Sequence, residues 1–111
     1  MKTVKNKLAK KIKIGNKIIV SNKTPSFIVA EISGNHNGKL SNVLKSIDII
    51  KLIGASAVKI QTYEPDSLTM NIKNKNFLIN DESIWKGKYL YDLYKKSQTP
   101  FKWQRKIFSY A

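Results

Sequence analysis

Apolar positions follow a two-residue period early in the chain and a helical period further on, with polar breaks between them. Ile12 and Ile14, then Ile18 and Val20, flank Gly15-Asn16, a pattern that predicts a β-hairpin with a two-residue connection. Residues 22–26 contain Pro25 and read as a connector. Phe27, Ile28, Val29 and Ala30 form a short run able to be buried on both faces, and it stops at Glu31. After a loop rich in Gly and Asn, Val43, Leu44, Ile47, Ile50 and Ile53 share one helical stripe, while Asn42, Lys45 and Lys51 fall elsewhere. This spacing predicts a helix over residues 40–53, begun near Ser41 or Asn42 and ended by Gly54 in a left-handed cap. A short link leads to Ala57, Val58 and Ile60, a second apolar run that carries Lys59 within it and Gln61 at its exit. Periodicity then weakens, and residues 64–88 are expected to form a long excursion. Leu90, Leu93 and Tyr94 mark a short helix. Thr99-Pro100 predicts an N-cap and first turn for another, running through Phe101, Trp103, Ile107 and Phe108.

Strand, helix and strand in that order make a βαβ unit of an α/β fold, either a barrel or an open parallel sheet. Both place their sites at the carboxyl ends of strands, so Glu31, Lys59 and Gln61 are expected to face one crevice. The 111 residues suffice for one small domain, whereas a complete (β/α)8 barrel needs roughly 250. A hydrophobic fraction of 41% supports a globular core, and no apolar run approaches the ~20 residues of a membrane span. The basic start, MKTVKNKLAKKIKIG, lacks the continuous apolar segment of a secretory signal, so a cytoplasmic protein is expected. With no cysteine there can be no disulfide and no thiolate metal site. The net charge of +14 raises the question of a nucleic-acid or membrane partner. The lysines, however, are scattered and Arg105 supplies the only guanidinium, which favours a solvated basic surface. A small basic nucleic-acid-binding module is the alternative of a different class, and it predicts tight, salt-sensitive oligonucleotide binding.

Lys59 sits within an otherwise apolar run, so its ammonium either escapes to the rim or meets an anion such as phosphate or carboxylate. Gln61 lies on the same side by the two-residue period and adds amide donors and an acceptor. Glu31 is either a lone carboxylate near the helix start or the partner of Lys59. The loop Ser33-Gly34-Asn35-His36-Asn37-Gly38 permits left-handed turns and close backbone approach, but its glycine spacing is neither a P-loop nor a dinucleotide fingerprint. His36 is the only histidine, so a metal site built by this chain alone lacks ligands. Trp85, Tyr89, Tyr91, Tyr94, Phe101 and Trp103 lie near lysines and could stack on bases, but core packing is the expectation.

IVAEISGNHNG, from Ile28 to Gly38, followed after the helix by GASAVKIQTY, from Gly54 to Tyr63, resembles the amino-terminal signature of the sialic acid synthase family. IWKGKYLYDLY, from Ile84 to Tyr94, with Thr99-Pro100-Phe101, most resembles the pseudaminic acid synthase branch, with N-acetylneuraminate and legionaminic acid synthases as the alternatives. The resemblance implies an α/β fold that is the amino-terminal part of a (β/α)8 TIM barrel preceded by a β-hairpin, and incomplete. Residues 1–11 would then be a basic, disordered N-terminus, 12–26 the hairpin and connector, and 27–111 the first βα units of a truncated barrel domain. The reaction it implies joins C3 of phosphoenolpyruvate to the carbonyl of a 2,4-diacetamido-2,4,6-trideoxy hexose. Water adds at C2, and phosphate leaves by C–O cleavage.

By the same resemblance Glu31 contacts the sugar and Lys59 holds phosphoenolpyruvate, these two being the catalytic candidates, while Gln61 contacts substrate beside them. Asn35 and His36 match positions in a supporting loop. The intact family uses a divalent cation, manganese or magnesium, held by histidines on later strands, so no metal ligand is expected among these residues. It also carries an antifreeze-like domain that reaches the partner's site in a homodimer. The expectation is therefore the amino-terminal remnant of a truncated frame, or half of a split enzyme completed by a separate carboxyl-terminal part, without synthase activity alone.

Overall fold

In the computed structural model, residues 11–111 are described, apart from Lys17. The lysine-rich start expected to be disordered falls, through residue 10, outside the described residues. Ile12–Ile14 (β1) and Ile18–Val20 (β2) pair antiparallel, as β-branched residues favour. Ile14 pairs with Ile18, leaving three residues between the strands rather than the two predicted. A two-residue connection would have set Ile14 against Lys17 and Ile12 against Ile19. The observed register instead opposes Ile12 to Val20 and Ile14 to Ile18, giving two β-branched cross-strand pairs. Gly15 turns the chain at φ +58°, where a side chain would be strained. The hairpin keeps its isoleucines 39–54% exposed.

The βαβ unit forms as predicted in order but not in its ends. Val29–Ser33 (β3) and Ala57–Ile60 (β4) lie parallel, joined through the helix Leu40–Leu52 (α1). Glu31 lies in the middle of β3 rather than at its exit, because Ile32 continues the strand into the core. α1 buries Val43 and Ile47 against Ile32, with Leu40, Leu44 and Ile50 at the margin. Ile53, assigned to the same stripe, stays 70% exposed because the helix has already ended. Its stop is a Schellman arrangement, in which Gly54 at φ +78° donates to the Lys51 carbonyl and Ala55 donates to that of Ile50. The start differs from expectation. Lys39 holds the cap position without a side-chain bond, and Asn42 turns back to donate to the His36 carbonyl at 2.9 Å.

Leu90–Ser97 (α2) and Gln104–Tyr110 (α3) complete the described helices, α3 being entered through a 3-10 turn at Phe101–Trp103. Thr99 does not cap this turn; Pro100 occupies the cap position, since Thr99 is drawn inward by partners described below. Ile107 of α3 joins the core, and the Tyr110 hydroxyl reaches Asp48 of α1 at 3.1 Å. The excursion contains two 3-10 turns, Pro65–Ser67 and Lys75–Phe77, and closes where Ile79 donates to Lys88 and Gly87 to Ile79. The described strands form two separate two-stranded sheets, with no closed barrel. One consequence is that Val29, expected to be buried on both faces, is 49% exposed, since α1 packs on the opposite face with Ile32; Ile28, which precedes β3, is 57% exposed as well. The aromatics expected in the core are divided, with Trp103 half-buried and Trp85 and Phe101 at the surface.

Candidate functional site

Parallel pairing sets Glu31 directly opposite Lys59, and alternation along β4 places Gln61 on the same side. The Lys59 ammonium donates to Glu31 Oε2 at 2.8 Å, and the Gln61 amide donates to Glu31 Oε1, also at 2.8 Å. One carboxylate therefore joins the two strands through both its oxygens. The register shifts between Glu31 and Ser33, and Ser33 adopts φ +54°. Its hydroxyl donates to Gln61 Oε1 at 3.1 Å, extending the chain of bonds to four residues. The side chains of Lys59 and Glu31 are 58% and 36% exposed, so an incoming ligand can compete for them. An ammonium has three donors, and Glu31 takes one.

Asn35 and His36 take different places. Asn35 is exposed and lines the cleft beyond Ser33. His36 is 1% exposed; its Nδ1 accepts the Gly38 amide at 3.0 Å, and its Nε2 lies 3.2 Å from the Thr99 hydroxyl. With Nδ1 accepting, the proton of the neutral ring sits on Nε2, which then donates to Thr99. Burial pushes the imidazole below its ordinary pKa, opposed by the Ser97 carbonyl. Trp103 packs edge-on against the ring at 5.4 Å, and the Thr99 amide donates to the Gln61 carbonyl at 3.1 Å. Thr99 thus ties the β3–α1 loop to the exit of β4.

Sequence reasoning missed Ser33 and Thr99 as parts of this arrangement. Ser33 had a signal, being two residues beyond Glu31 on the same strand face. Thr99 had none, because its contact with His36 spans 63 positions.

A solvent-open cleft of about 660 Å³ begins at Ser33 and Gln61 and runs between Asn35, Tyr63, Leu68, Trp85 and Tyr94. The Tyr63 hydroxyl donates to the Tyr94 carbonyl at 3.2 Å, fixing one side of it to α2. Among the described residues no three His, Cys, Asp or Glu side chains cluster as metal ligands. Both ring nitrogens of His36 are engaged in buried contacts, and both Glu31 oxygens accept hydrogen bonds. These residues do not by themselves fit a divalent cation.

A parallel βαβ unit with a glutamate, a lysine and a glutamine gathered across its two strands places the chain among α/β proteins. Residues 46–111 match the NeuB family, and the chain belongs to it. The match includes Lys59 and Gln61 and begins after Glu31. Proteins of this family are generally metal-dependent. The chain is 48% identical over 85 residues to pseudaminic acid synthase of Campylobacter jejuni subsp. jejuni serotype O:2, covering 77% of this chain and 24% of that protein. It is 42% identical over 87 residues to pseudaminic acid synthase of Helicobacter pylori, covering 78% of this chain and 25% of that protein. The chain spans about a quarter of the length of these curated relatives.

Proposed function

We propose that these residues form one wall of the active site of a nonulosonic acid synthase, specifically pseudaminic acid synthase. The carrying observation is the Glu31–Lys59–Gln61 cluster, built by strand register in a chain whose relatives bear that name. Lys59 neutralises the phosphate or carboxylate of phosphoenolpyruvate. Doing so draws the ammonium away from Glu31, whose freed oxygen then accepts a hydroxyl of the acetamido sugar. Gln61 holds the other oxygen, so the carboxylate keeps its orientation as its partner changes. Asn35 lines the sugar side, while His36 supports the loop from within. C3 of phosphoenolpyruvate attacks the sugar carbonyl, water adds at C2, and the C–O bond to phosphate breaks.

A complete site needs the remaining walls of a TIM barrel and a divalent cation, manganese or magnesium, with its ligands. A continuation of the chain, a separately encoded part or a homodimer partner would supply them, and the reaction would belong to the cytoplasm.

The test is a titration of phosphoenolpyruvate followed by its 31P resonance. The chain should shift and broaden the signal, Lys59→Met should abolish the effect, and Lys23→Met in the connector should retain it. Equal response from Lys59→Met would overturn the assignment. Turnover of phosphoenolpyruvate and the diacetamido sugar by the 111-residue chain without any partner would overturn the single-wall reading.

A further inference from the structure

Serine is an uncommon residue for the backbone at position 33. It adopts φ +54°, in the left-handed region where glycine is at ease and a serine side chain is strained. Asn37, at φ +50°, is the other described non-glycine residue there, and asparagine is among the types that enter that region readily. Glycine stands one place later, at Gly34, and the reason there is space, since an added Cβ would meet Ser97 at 2.8 Å. The chain therefore keeps a side chain at the position whose backbone favours having none. Strain of this kind points to a use for the group retained.

That use lies in the hydrogen bonds of the site. Beyond the Glu31–Lys59 pair a regular ladder would set Ser33 opposite Gln61, but the bulge sets it opposite Ile60. From there its hydroxyl donates to Gln61 Oε1 at 3.1 Å, while Gln61 Nε2 donates to Glu31 Oε1 at 2.8 Å. An ionised carboxylate only accepts, so Glu31 takes the nitrogen of the amide and leaves its oxygen turned away. Ser33 meets that oxygen. Water would satisfy it without fixing its place, whereas a hydroxyl on a short side chain anchored in the bulge does both.

We propose that Ser33 is a positioning residue: its hydroxyl locks the Gln61 amide against Glu31, so that the carboxylate stays in place once Lys59 turns to an anion. This rests on the synthase reading and deepens it. A Glu31 released by Lys59 keeps Gln61 as its remaining described partner, and Gln61 is held in turn by Ser33.

The experiment follows solvent exchange of the Gln61 side-chain amide protons by 15N NMR in the 111-residue chain, free and with phosphoenolpyruvate, whose own binding is read through 31P. The Asn42 side-chain amide, which donates to the His36 carbonyl at 2.9 Å in the adjoining loop, is the internal reference. Ser33→Gly suits the backbone and removes the hydroxyl. With phosphoenolpyruvate bound it should speed Gln61 exchange about tenfold relative to Asn42, as loss of one hydrogen bond does, and by less in the free chain, where Lys59 still holds Glu31. Equal acceleration of Gln61 and Asn42 would assign the hydroxyl to folding of the loop and overturn the positioning role. Unchanged Gln61 exchange with phosphoenolpyruvate bound would overturn it as well, leaving the synthase reading intact. Absence of the 31P response in the unaltered chain would overturn the synthase reading on which the role rests.

Discussion

The Lys59–Glu31 pair is short but solvent-open, and exposed ion pairs of this kind contribute only ~0–1 kcal/mol. Its value therefore lies in what it can exchange for. Lys59→Met should change folding stability by less than about 1 kcal/mol in urea titrations while removing anion binding. His36 presents the opposite case, a buried group whose position is structural. Its folded pKa lies below the ordinary 6.5, so the unfolded chain binds more protons as the solution is acidified. The stability from neutral His36 is complete above about 6.5 and is lost as pH falls through the lower, folded value. Thermal melting should accordingly be flat above neutrality and decline below about 6.5, and His36→Gln should flatten that decline. A decline of equal steepness in the variant would assign it to other groups. At Gly34 an added Cβ would sit 2.8 Å from both the Ser97 Cβ and the Ser97 carbonyl oxygen. Backbone would have to move, so Gly34→Ala should cost about 1–3 kcal/mol, measurable as a lower urea midpoint. The sequence made Lys59 and Gln61 legible because strand alternation is local; the burial of His36 depended on Thr99 and Trp103, which no local pattern connects to it.

Elements were legible in kind and less so in their ends. The apolar stripe from Val43 to Ile50 foretold α1, and Gly54 foretold its stop, because both follow from backbone geometry within a few residues. Gly54→Ala should cost about 1–2 kcal/mol by placing a Cβ in the left-handed region, shown by a lower melting temperature without loss of helical dichroism at low temperature. A neutral result would mean that the cap relaxes to another conformation. The predicted starts at Ser41 or Asn42 and at Thr99 were misleading for one reason. Ser, Thr and Asn satisfy any nearby polar group, and here a loop carbonyl and a buried imidazole competed with the helix amides. The hairpin register likewise obeyed cross-strand pairing of isoleucine and valine over the Gly15-Asn16 turn signal.

At the scale of the molecule, the buried hydrophobic residues among those described are four, Ile32, Val43, Ile47 and Ile107. Each described strand is paired along one edge alone, and Ile28, Val29, Leu52 and Phe108 are 49–85% exposed. Such a core supplies little stability to a chain of this size. The 111-residue polypeptide should bind a hydrophobic dye and unfold with a broad transition, and a sharp transition worth more than about 5 kcal/mol would contradict this.

The sequence by itself determined the βαβ order, the apolar stripe and stop of α1, and the placing of Lys59 and Gln61 on one side of the second strand, since each depends on short-range periodicity. Only the tertiary structure decided that Glu31 bridges the two strands, that Thr99 holds His36 to the β4 exit, and that Trp85 faces the cleft rather than the core. The first two depend on contacts between residues 28 and 63 positions apart, whose register and burial are fixed when the elements pack and not before.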